Sequence, residues 1–179
     1  MKYQVSGGSI PSVTINKKSN EEIVMKALSI HGNYIMDIIN ENKTIEYRTW
    51  TTNYRGPLLL CASAKKYPNS IYGHAICVAM IKDIEWNEED QLYYWHIEPF
   101  KKGGSYLIEP IKVKGQLKLY NVDDKLIKPA PFVKVEHSNP KFDEWYSKKI
   151  KPLIYVPKRK VKKNVEPQFS KFKKFHIVH

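Results

Sequence analysis

The sequence has few cysteines and no long apolar segment. Only two of its 179 residues are cysteines, and Cys61 and Cys77 each lie in an apolar run, where a reduced thiol behaves as a small hydrophobic side chain. No segment approaches the roughly 18 apolar residues of a membrane-spanning helix, and the N-terminus lacks the apolar stretch of a signal peptide. We therefore expect a soluble, cytoplasmic protein that has no membrane partner.

The motifs that hold metals, phosphates and cofactors are also missing. His31 and His74 have no other ligand type at metal spacing, and neither a Cys-x-x-Cys nor a His-x-x-x-His pair occurs. The sequence contains no phosphate-binding glycine loop and no nucleophile elbow. It therefore predicts no metal site and no cofactor.

Acidic residues are scarce at the C-terminal end. The net charge is +12, but residues 1–144 carry 19 Lys and Arg against 17 Asp and Glu, whereas residues 145–179 carry 11 against 1. Such a block is typical of a solvated arm attracted to a polyanion. Because there is no lipidation motif and no amphipathic apolar face, nucleic acid is favoured over an anionic membrane. An acidic protein partner for the tail is an alternative.

The large side chains that are present suffice for one core. Apolar residues make up 42% of the chain, with 12 Tyr, 6 Phe and 4 Trp, which suits a single main domain. Helical periodicity appears early, from Tyr34 to about Asn42 with Asn33 as N-cap, and residues 142–157 read as a short helix followed by a strand. Most other segments favour strands, namely 24–30, 45–50, 56–63, 73–86, 92–99 and 113–122.

These elements predict a mainly β (α+β) fold, a small β-barrel with one or two short helices at its side. The mouth of such a barrel is a common ligand site. We expect four parts in the chain: an N-terminal extension (1–23), the barrel domain (24–122), C-terminal elements packed on the barrel (123–157), and a mobile basic tail (158–179).

One charged segment has a pattern that suits a ligand. If 44–50 is a strand, Glu46, Arg48 and Trp50 share one face, while Ile45 and Tyr47 point to the core. A carboxylate accepts from amino groups, a guanidinium donates to carbonyl oxygens and an indole stacks, so the row suits a nucleobase. The alternative is a salt-bridged, exposed strand face.

The order of several short segments resembles the ASCH domain, of the PUA-like superfamily, over residues 26–122. The segments are KALSIHGNYIMDIINENKTIEYRTW, YRGPLLLCASAKK, YGHAICVAMIKDI, YYWHIEP and KGQLKLYNV. The family signature Gly-x-Lys-x-x-Glu-x-Arg is matched here to Asn42, Lys43, Glu46 and Arg48, with Asn42 in the place of Gly. Family order is also kept by Arg55-Gly56-Pro57, Ala62-Ser63 with Lys65, Gly73, Trp95 and Lys114-Gly115. The resemblance implies a PUA-like β-barrel whose cleft, beside the early helix, is lined by the Lys-Glu-Arg set and is proposed in the family to bind RNA or other nucleic acid.

Several predicted ligand residues have structural alternatives. Lys43 suits a helix end electrostatically, Arg55 could bridge to Glu46 or grip phosphate, and Lys65, like Lys66, suits backbone phosphates. Trp50 and Trp95 could equally pack in the core. The predicted ligand set is Lys43, Glu46, Arg48, Trp50, Arg55, Ser63, Lys65 and Trp95.

Two functions from different classes follow. The first is a nucleic-acid-binding module, for RNA rather than DNA, that takes an unpaired or modified base into the cleft and uses the basic tail for phosphates. The second is a hydrolase acting on RNA or a modified nucleoside with Lys43 and Glu46. A small bacterial group with ASCH-like domains removes the acetyl group of N4-acetylcytidine with a Lys, a Thr and a Glu. Lys43 matches that Lys, but Glu46 stands where that group has its Thr.

Overall fold

The fold is built on a mixed seven-stranded sheet. The computed structural model describes residues 24–99 and 106–159; the expected N-terminal extension and all but the first two residues of the basic tail lie outside the described residues. The strands are β1 (Val24–Ile30), β2 (Ile45–Arg48), β3 (Gly56–Ala62), β4 (Ser70–Ile71), β5 (His74–Asn87), β6 (Leu92–Pro99), β7 (Leu107–Lys112), β8 (Leu119–Asp123) and β9 (Ile154–Tyr155). The helices are α1 (Gly32–Ile39) and α2 (Pro140–Lys149), with 3-10 turns at Asp124–Leu126 and Lys151–Leu153.

The strand order is β2-β6-β5-β3-β1-β8, with β7 paired to the first part of β5, and β4 and β9 form a separate two-stranded sheet. β1 and β3 run parallel, and the other neighbours in the large sheet are antiparallel. In the part of the chain that the structure describes, β2 pairs only with β6 and β8 only with β1. The mainly β fold with two short helices is therefore confirmed, whereas closure of the sheet into a barrel is not.

The centre of the sheet is buried on both faces. Leu58, Leu60 and Trp95 pack in one apolar cluster with residues of both helices, and Leu59 and Cys61 pack in a second cluster on the other face. A strand covered on both sides reads as a continuous apolar run, which explains the sequence Leu-Leu-Leu-Cys-Ala. Both cysteines are free and fully buried, and burial raises the thiol pKa of each, that of Cys61 to about 11.

Helix α1 begins and ends earlier than the sequence predicts. His31, not Asn33, is the N-cap, and the helix stops at Ile39 rather than near Asn42. Its first residue packs tightly on β4, because a Cβ at Gly32 would lie 1.8 Å from the carbonyl oxygen of Ile71. A glycine is required there for the helix to approach the strand. This contact fixes the start of α1, and with it one wall of the site described below.

The C-terminal elements complete the structure. The predicted helix and strand within 142–157 are present as α2 and β9, and the Asn139 side chain caps α2 by accepting from the Lys141 amide at 3.1 Å. β7 was not predicted, since Pro110 lies within its run and proline argues against a central strand. The strand predicted at 113–122 forms only from Leu119, because residues 113–118 form an irregular loop.

Candidate functional site

A cleft opens where the carboxyl ends of β1 and β3 meet α1 and β2. Because β1 and β3 are parallel, Ile30 and Ala62 lie side by side, and the Ser63 amide donates to the Ile30 carbonyl oxygen at 2.8 Å. We call this concavity of about 350 Å³ the cleft. It is lined by Ser29, Ile30, His31, Tyr34, Glu46, Tyr47, Arg48 and Ser63.

A buried ion cluster forms its floor. Glu46 is only 5% exposed, and its Oε1 lies 3.0 Å from Arg48 Nη2 while its Oε2 lies 3.4 Å from Lys43 Nζ. Arg48 Nη2 also donates to the Ser29 carbonyl oxygen at 3.1 Å, and Lys43 Nζ donates to the Ile45 carbonyl oxygen. Two cations around one carboxylate leave a net charge of +1. The cluster is therefore neutralised enough to be buried and remains attractive to electron-rich groups.

Polar atoms without a hydrogen-bond partner concentrate at the cleft. Among the described residues, four buried side-chain atoms accept or donate no hydrogen bond, and three of them, Glu46 Oε2, Arg48 Nε and Ser63 Oγ, belong to residues that line the cleft. The fourth is Oδ1 of Asn33, in the first turn of α1. Leaving such a group without a partner costs about 1–3 kcal/mol, so atoms of this kind are normally matched by ordered water or by a ligand. The residues that line the cleft thus include an acceptor, a donor and a hydroxyl whose hydrogen-bonding capacity is not used within the protein, although Glu46 Oε2 is ion-paired with Lys43.

The mouth of the cleft is aromatic. Tyr34 and Tyr47 are 40% and 48% exposed, and Lys43 Nζ lies 4.9 Å and 4.7 Å from their ring centroids. His31 stacks on Tyr34 with ring centroids 5.6 Å apart. Exposed rings held by a neighbouring cation offer flat apolar surfaces on which a base can stack.

The orientation predicted for β2 is wrong. Glu46 points inward and Tyr47 outward, the reverse of the expectation that Tyr47 enters the core. Alternation defines two faces of a strand but does not say which one meets the core. The inward Glu46 is tolerated because Lys43 and Arg48 accompany it.

The two tryptophans in the predicted ligand set pack in the core instead of lining the cleft. Trp95 is fully buried, and its ring meets that of Trp50 edge to face, with centroids 4.8 Å apart. Trp95 Nε1 donates to the Trp50 carbonyl oxygen at 3.4 Å. For both residues the core alternative describes the structure.

The other predicted residues divide between the rim and a separate surface. Arg55 donates to the carbonyl oxygens of Thr52 and Tyr54 and lies 3.7 Å from Asp83, so it does not bridge to Glu46. Lys65 Nζ lies 5.2 Å from the centroid of Tyr67, whose hydroxyl is 2.9 Å from His31 Nδ1 at the cleft. The structure therefore brings together Glu46, Arg48 and Ser63, with Lys43 beside them and Lys65 on the outer rim.

The sequence interpretation missed Ser29, His31 and Tyr34, and it misplaced Tyr47. A usable signal was the position of His31 and Tyr34, which follow β1 directly at the glycine turn that opens α1. Residues at the end of one strand and the start of the next helix commonly face a site.

A larger concavity adjoins the cleft. This groove, of about 1160 Å³, is lined by Ser29, Ser63, Ala64, Lys66, Tyr72, Gly73, His74, Lys112, Val113, Lys114, Gly115, Gln116 and Leu117. It shares Ser29 and Ser63 with the cleft. Three of its lining residues are lysines and none is acidic.

Residues 24–99 and 106–159 contain neither a metal-binding cluster nor a helix that could span a membrane. There, no three His, Cys, Asp or Glu side chains are grouped so that they could hold a metal ion. In the same residues, no helix has the length and apolar character needed to span a membrane.

Fold and site together define a small, mainly β domain with a cationic, aromatic-rimmed cleft between its first helix and one edge of its sheet. The family model of the ASCH domain matches residues 28–159. The chain therefore belongs to the ASCH domain family, which confirms the resemblance. ASCH domains are PUA-like and are proposed to bind RNA. No curated protein matches this sequence.

The spacing of the signature corrects the assignment of its glycine. Two residues before Lys43, where the signature has its Gly, the chain has Glu41 rather than Asn42. Glu41 adopts φ 61°, the left-handed backbone that glycine favours. The turn between α1 and β2 thus keeps the conformation expected of a glycine, although the residue differs.

Proposed function

We propose that this protein binds single-stranded RNA and takes one unpaired or modified base into the cleft. The observation that carries the proposal is the set of buried polar atoms at the cleft that make no hydrogen bond within the protein, beside two exposed tyrosine rings. A base offers two faces for stacking and an edge with donors and acceptors, so it matches both features. Membership of a family proposed to bind RNA supports the choice of ligand.

The floor provides complementary groups for a base edge. Glu46 Oε2 accepts from amino or imino groups, Arg48 Nε donates to carbonyl or ring nitrogen acceptors, and Ser63 Oγ does either. Their hydrogen bonds would be made in a buried setting, where they are stronger than in water. Lys43 holds the carboxylate and lies between the two tyrosine rings.

A test follows from the unpaired hydroxyl of Ser63. Ser63→Ala removes a group that makes no hydrogen bond in the protein, so the free energy of unfolding should not fall. If the hydroxyl binds RNA, affinity should drop about 2- to 12-fold, the value of one hydrogen bond. Fluorescence anisotropy with a labelled single-stranded RNA measures affinity, and urea denaturation measures stability.

Ser147→Ala is the matched control, because Ser147 is exposed on α2, away from the cleft. It should change neither quantity. If wild-type protein fails to bind single-stranded RNA at low salt, the proposed function is wrong. If it binds but Ser63→Ala has no effect, the hydroxyl does not contact the base.

The basic tail is proposed to add sequence-independent attraction to phosphates. Removing residues 158–179 takes away eight Lys and Arg and one Glu, and should flatten the dependence of log affinity on log salt concentration. An unchanged slope would show that the tail does not touch the RNA.

A hydrolase is the second candidate. The observation that favours it is the presence of a buried carboxylate oxygen and a buried hydroxyl, Glu46 Oε2 and Ser63 Oγ, which belong to cleft-lining residues and make no hydrogen bond within the protein. The Lys43 amine forms an ion pair with that carboxylate oxygen at 3.4 Å. Such groups can move protons at a substrate. Incubation with N4-acetylcytidine and with labelled RNA, followed by mass spectrometry, tests it. A product that disappears with Lys43→Ala and Glu46→Ala would support catalysis, and the absence of any product would exclude these substrates.

A further inference from the structure

We infer that the groove beside the cleft binds the sugar-phosphate backbone of the strand whose base enters the cleft. This inference rests on the proposed function and specifies where the rest of the ligand lies. The groove adjoins the cleft through Ser29 and Ser63 and is about three times its volume. A strand anchored by one base at Ser63 would have its neighbouring nucleotides over this surface.

The charges of the groove suit phosphates. Lys66, Lys112 and Lys114 are exposed, and within the described residues none of them forms an ion pair. Four other lysines form ion pairs with acids there, namely Lys43, Lys82, Lys148 and Lys149. Lysines that line one concavity without acidic neighbours create a local positive potential, and a bound polyanion would release counterions from it.

The groove also has a surface for stacking. Lys66 Nζ lies 4.8 Å from the ring centroid of Tyr72 and 5.6 Å from that of Tyr155. A cation beside partly exposed rings can meet a phosphate while a ring meets the adjacent base. Lys66, which the sequence analysis grouped with Lys65 as suited to backbone phosphates, therefore has the surroundings of a nucleic-acid contact.

Ser29 connects the two concavities. Its carbonyl oxygen accepts from Arg48 in the cleft at 3.1 Å, and its hydroxyl accepts from the Gln116 amide in the groove at 3.2 Å. A Cβ at Gly115 would lie 2.7 Å from that hydroxyl, so the loop carrying Lys114 sits directly on Ser29. The position of the groove wall is thus set by the same residue that orients the cleft arginine.

The experiment compares two triple variants that remove equal charge. The groove variant carries Lys66→Ala, Lys112→Ala and Lys114→Ala. The control carries Lys82→Ala, Lys128→Ala and Lys148→Ala, at exposed lysines outside both concavities. Affinity for a labelled single-stranded RNA of mixed sequence is measured by anisotropy over a range of salt concentrations, using the full chain. Urea denaturation of each variant confirms that it folds.

In a plot of log affinity against log salt concentration, the groove variant should have a slope that is smaller in magnitude by about 2. Each phosphate contact on a single strand contributes about 0.7 to that slope, and three lysines are removed. The control should lower it much less. The groove variant should bind cytidine and guanosine as the wild type does, because these nucleosides have no phosphate. NMR titration measures this binding. That result would place the lysines on the backbone rather than on the base.

Other outcomes overturn the inference in distinguishable ways. Equal effects of the two triple variants would show that only net charge matters, and RNA binding by the wild type would leave the proposed function standing. Loss of nucleoside binding in the groove variant would show that its lysines act through the cleft. Failure of wild-type protein to bind RNA at low salt would overturn the proposed function and the groove together.

Discussion

Two aromatic pairs lie close to β2 and differ in almost every physical respect. Trp50 and Trp95 meet edge to face, and Trp95 is fully buried. Tyr34 and Tyr47 are 40% and 48% exposed and share the ammonium group of Lys43 instead of packing on each other. Burial makes the first pair a source of stability, whereas exposure beside unpaired polar groups makes the second available to a ligand. The neighbours of an aromatic residue thus decide its role, more than its position in a signature.

The largest expected effect is the loss of stability on truncating the buried pair. Trp95→Ala removes a fully buried side chain from the main core and should lower the free energy of unfolding by about 3–5 kcal/mol, as measured by urea denaturation. Trp86→Ala is the control, because Trp86 is 44% exposed. Similar losses in the two variants would mean that burial does not distinguish these rings.

The next effect tests the ion cluster between the two pairs. Glu46→Gln keeps the shape but leaves Lys43 and Arg48, which are 14% and 22% exposed, without their anion. We expect a loss of about 1–3 kcal/mol in the free energy of unfolding, since the cost of an uncompensated charge is reduced by partial solvation. Glu144→Gln, at an exposed pair on α2, should cost less than about 0.5 kcal/mol. Equal costs would contradict the burial of the cluster.

The exposed pair should show the reverse behaviour, with affinity changing and stability largely preserved. Tyr34→Ala and Tyr47→Ala should each weaken RNA binding by about 1–3 kcal/mol, the value of stacking one base. The free energy of unfolding should fall by about 1 kcal/mol or less, because each ring is in contact with one neighbouring ring and with Lys43. Anisotropy and urea denaturation on the same samples measure both quantities. If stability falls and affinity does not, the tyrosines stabilise the fold, as the tryptophans do, and do not bind RNA.

The smallest effect separates the rings from their hydroxyl groups. Tyr34→Phe and Tyr47→Phe keep the stacking surface, so both affinity and stability should stay within about 0.5 kcal/mol of wild type. A large loss of affinity in either variant would show that the hydroxyl, rather than the ring, contacts the RNA.

The sequence predicted the positions of several strands and helices better than it predicted which face of a strand is buried. β1 and β6 have the predicted bounds, and α2 and β9 lie where a helix and a strand were expected, because alternation and periodicity are local properties. The Lys-Glu-Arg set was found through the family signature. The inward turn of Glu46 was not, because it depends on Lys43 and Arg48 reaching the same carboxylate in three dimensions.

The remaining misses have the same origin. The groove combines Lys66 with Lys112 and Lys114, which lie more than 40 positions away along the chain, so no local pattern reveals it. Trp50 follows Arg48 in the alternation and shares its predicted face, yet the pairing of β2 with β6 brings it against Trp95. The position of Trp50 therefore depends on how strands pair in three dimensions, which residue spacing along the sequence does not reveal.

The contact between Gly32 and β4 has a consequence for the order in which the cleft is made. β4 is paired with β9, through Ile71 and Ile154, so the strand that seats the start of α1 is itself held by the last strand described. During translation, Lys43, Glu46 and Arg48 are synthesised more than a hundred residues before Ile154. On the ribosome, the chain therefore contains the signature long before β9 is made, and a product that stops before β9 keeps every cleft-lining residue but lacks the strand that pairs with β4.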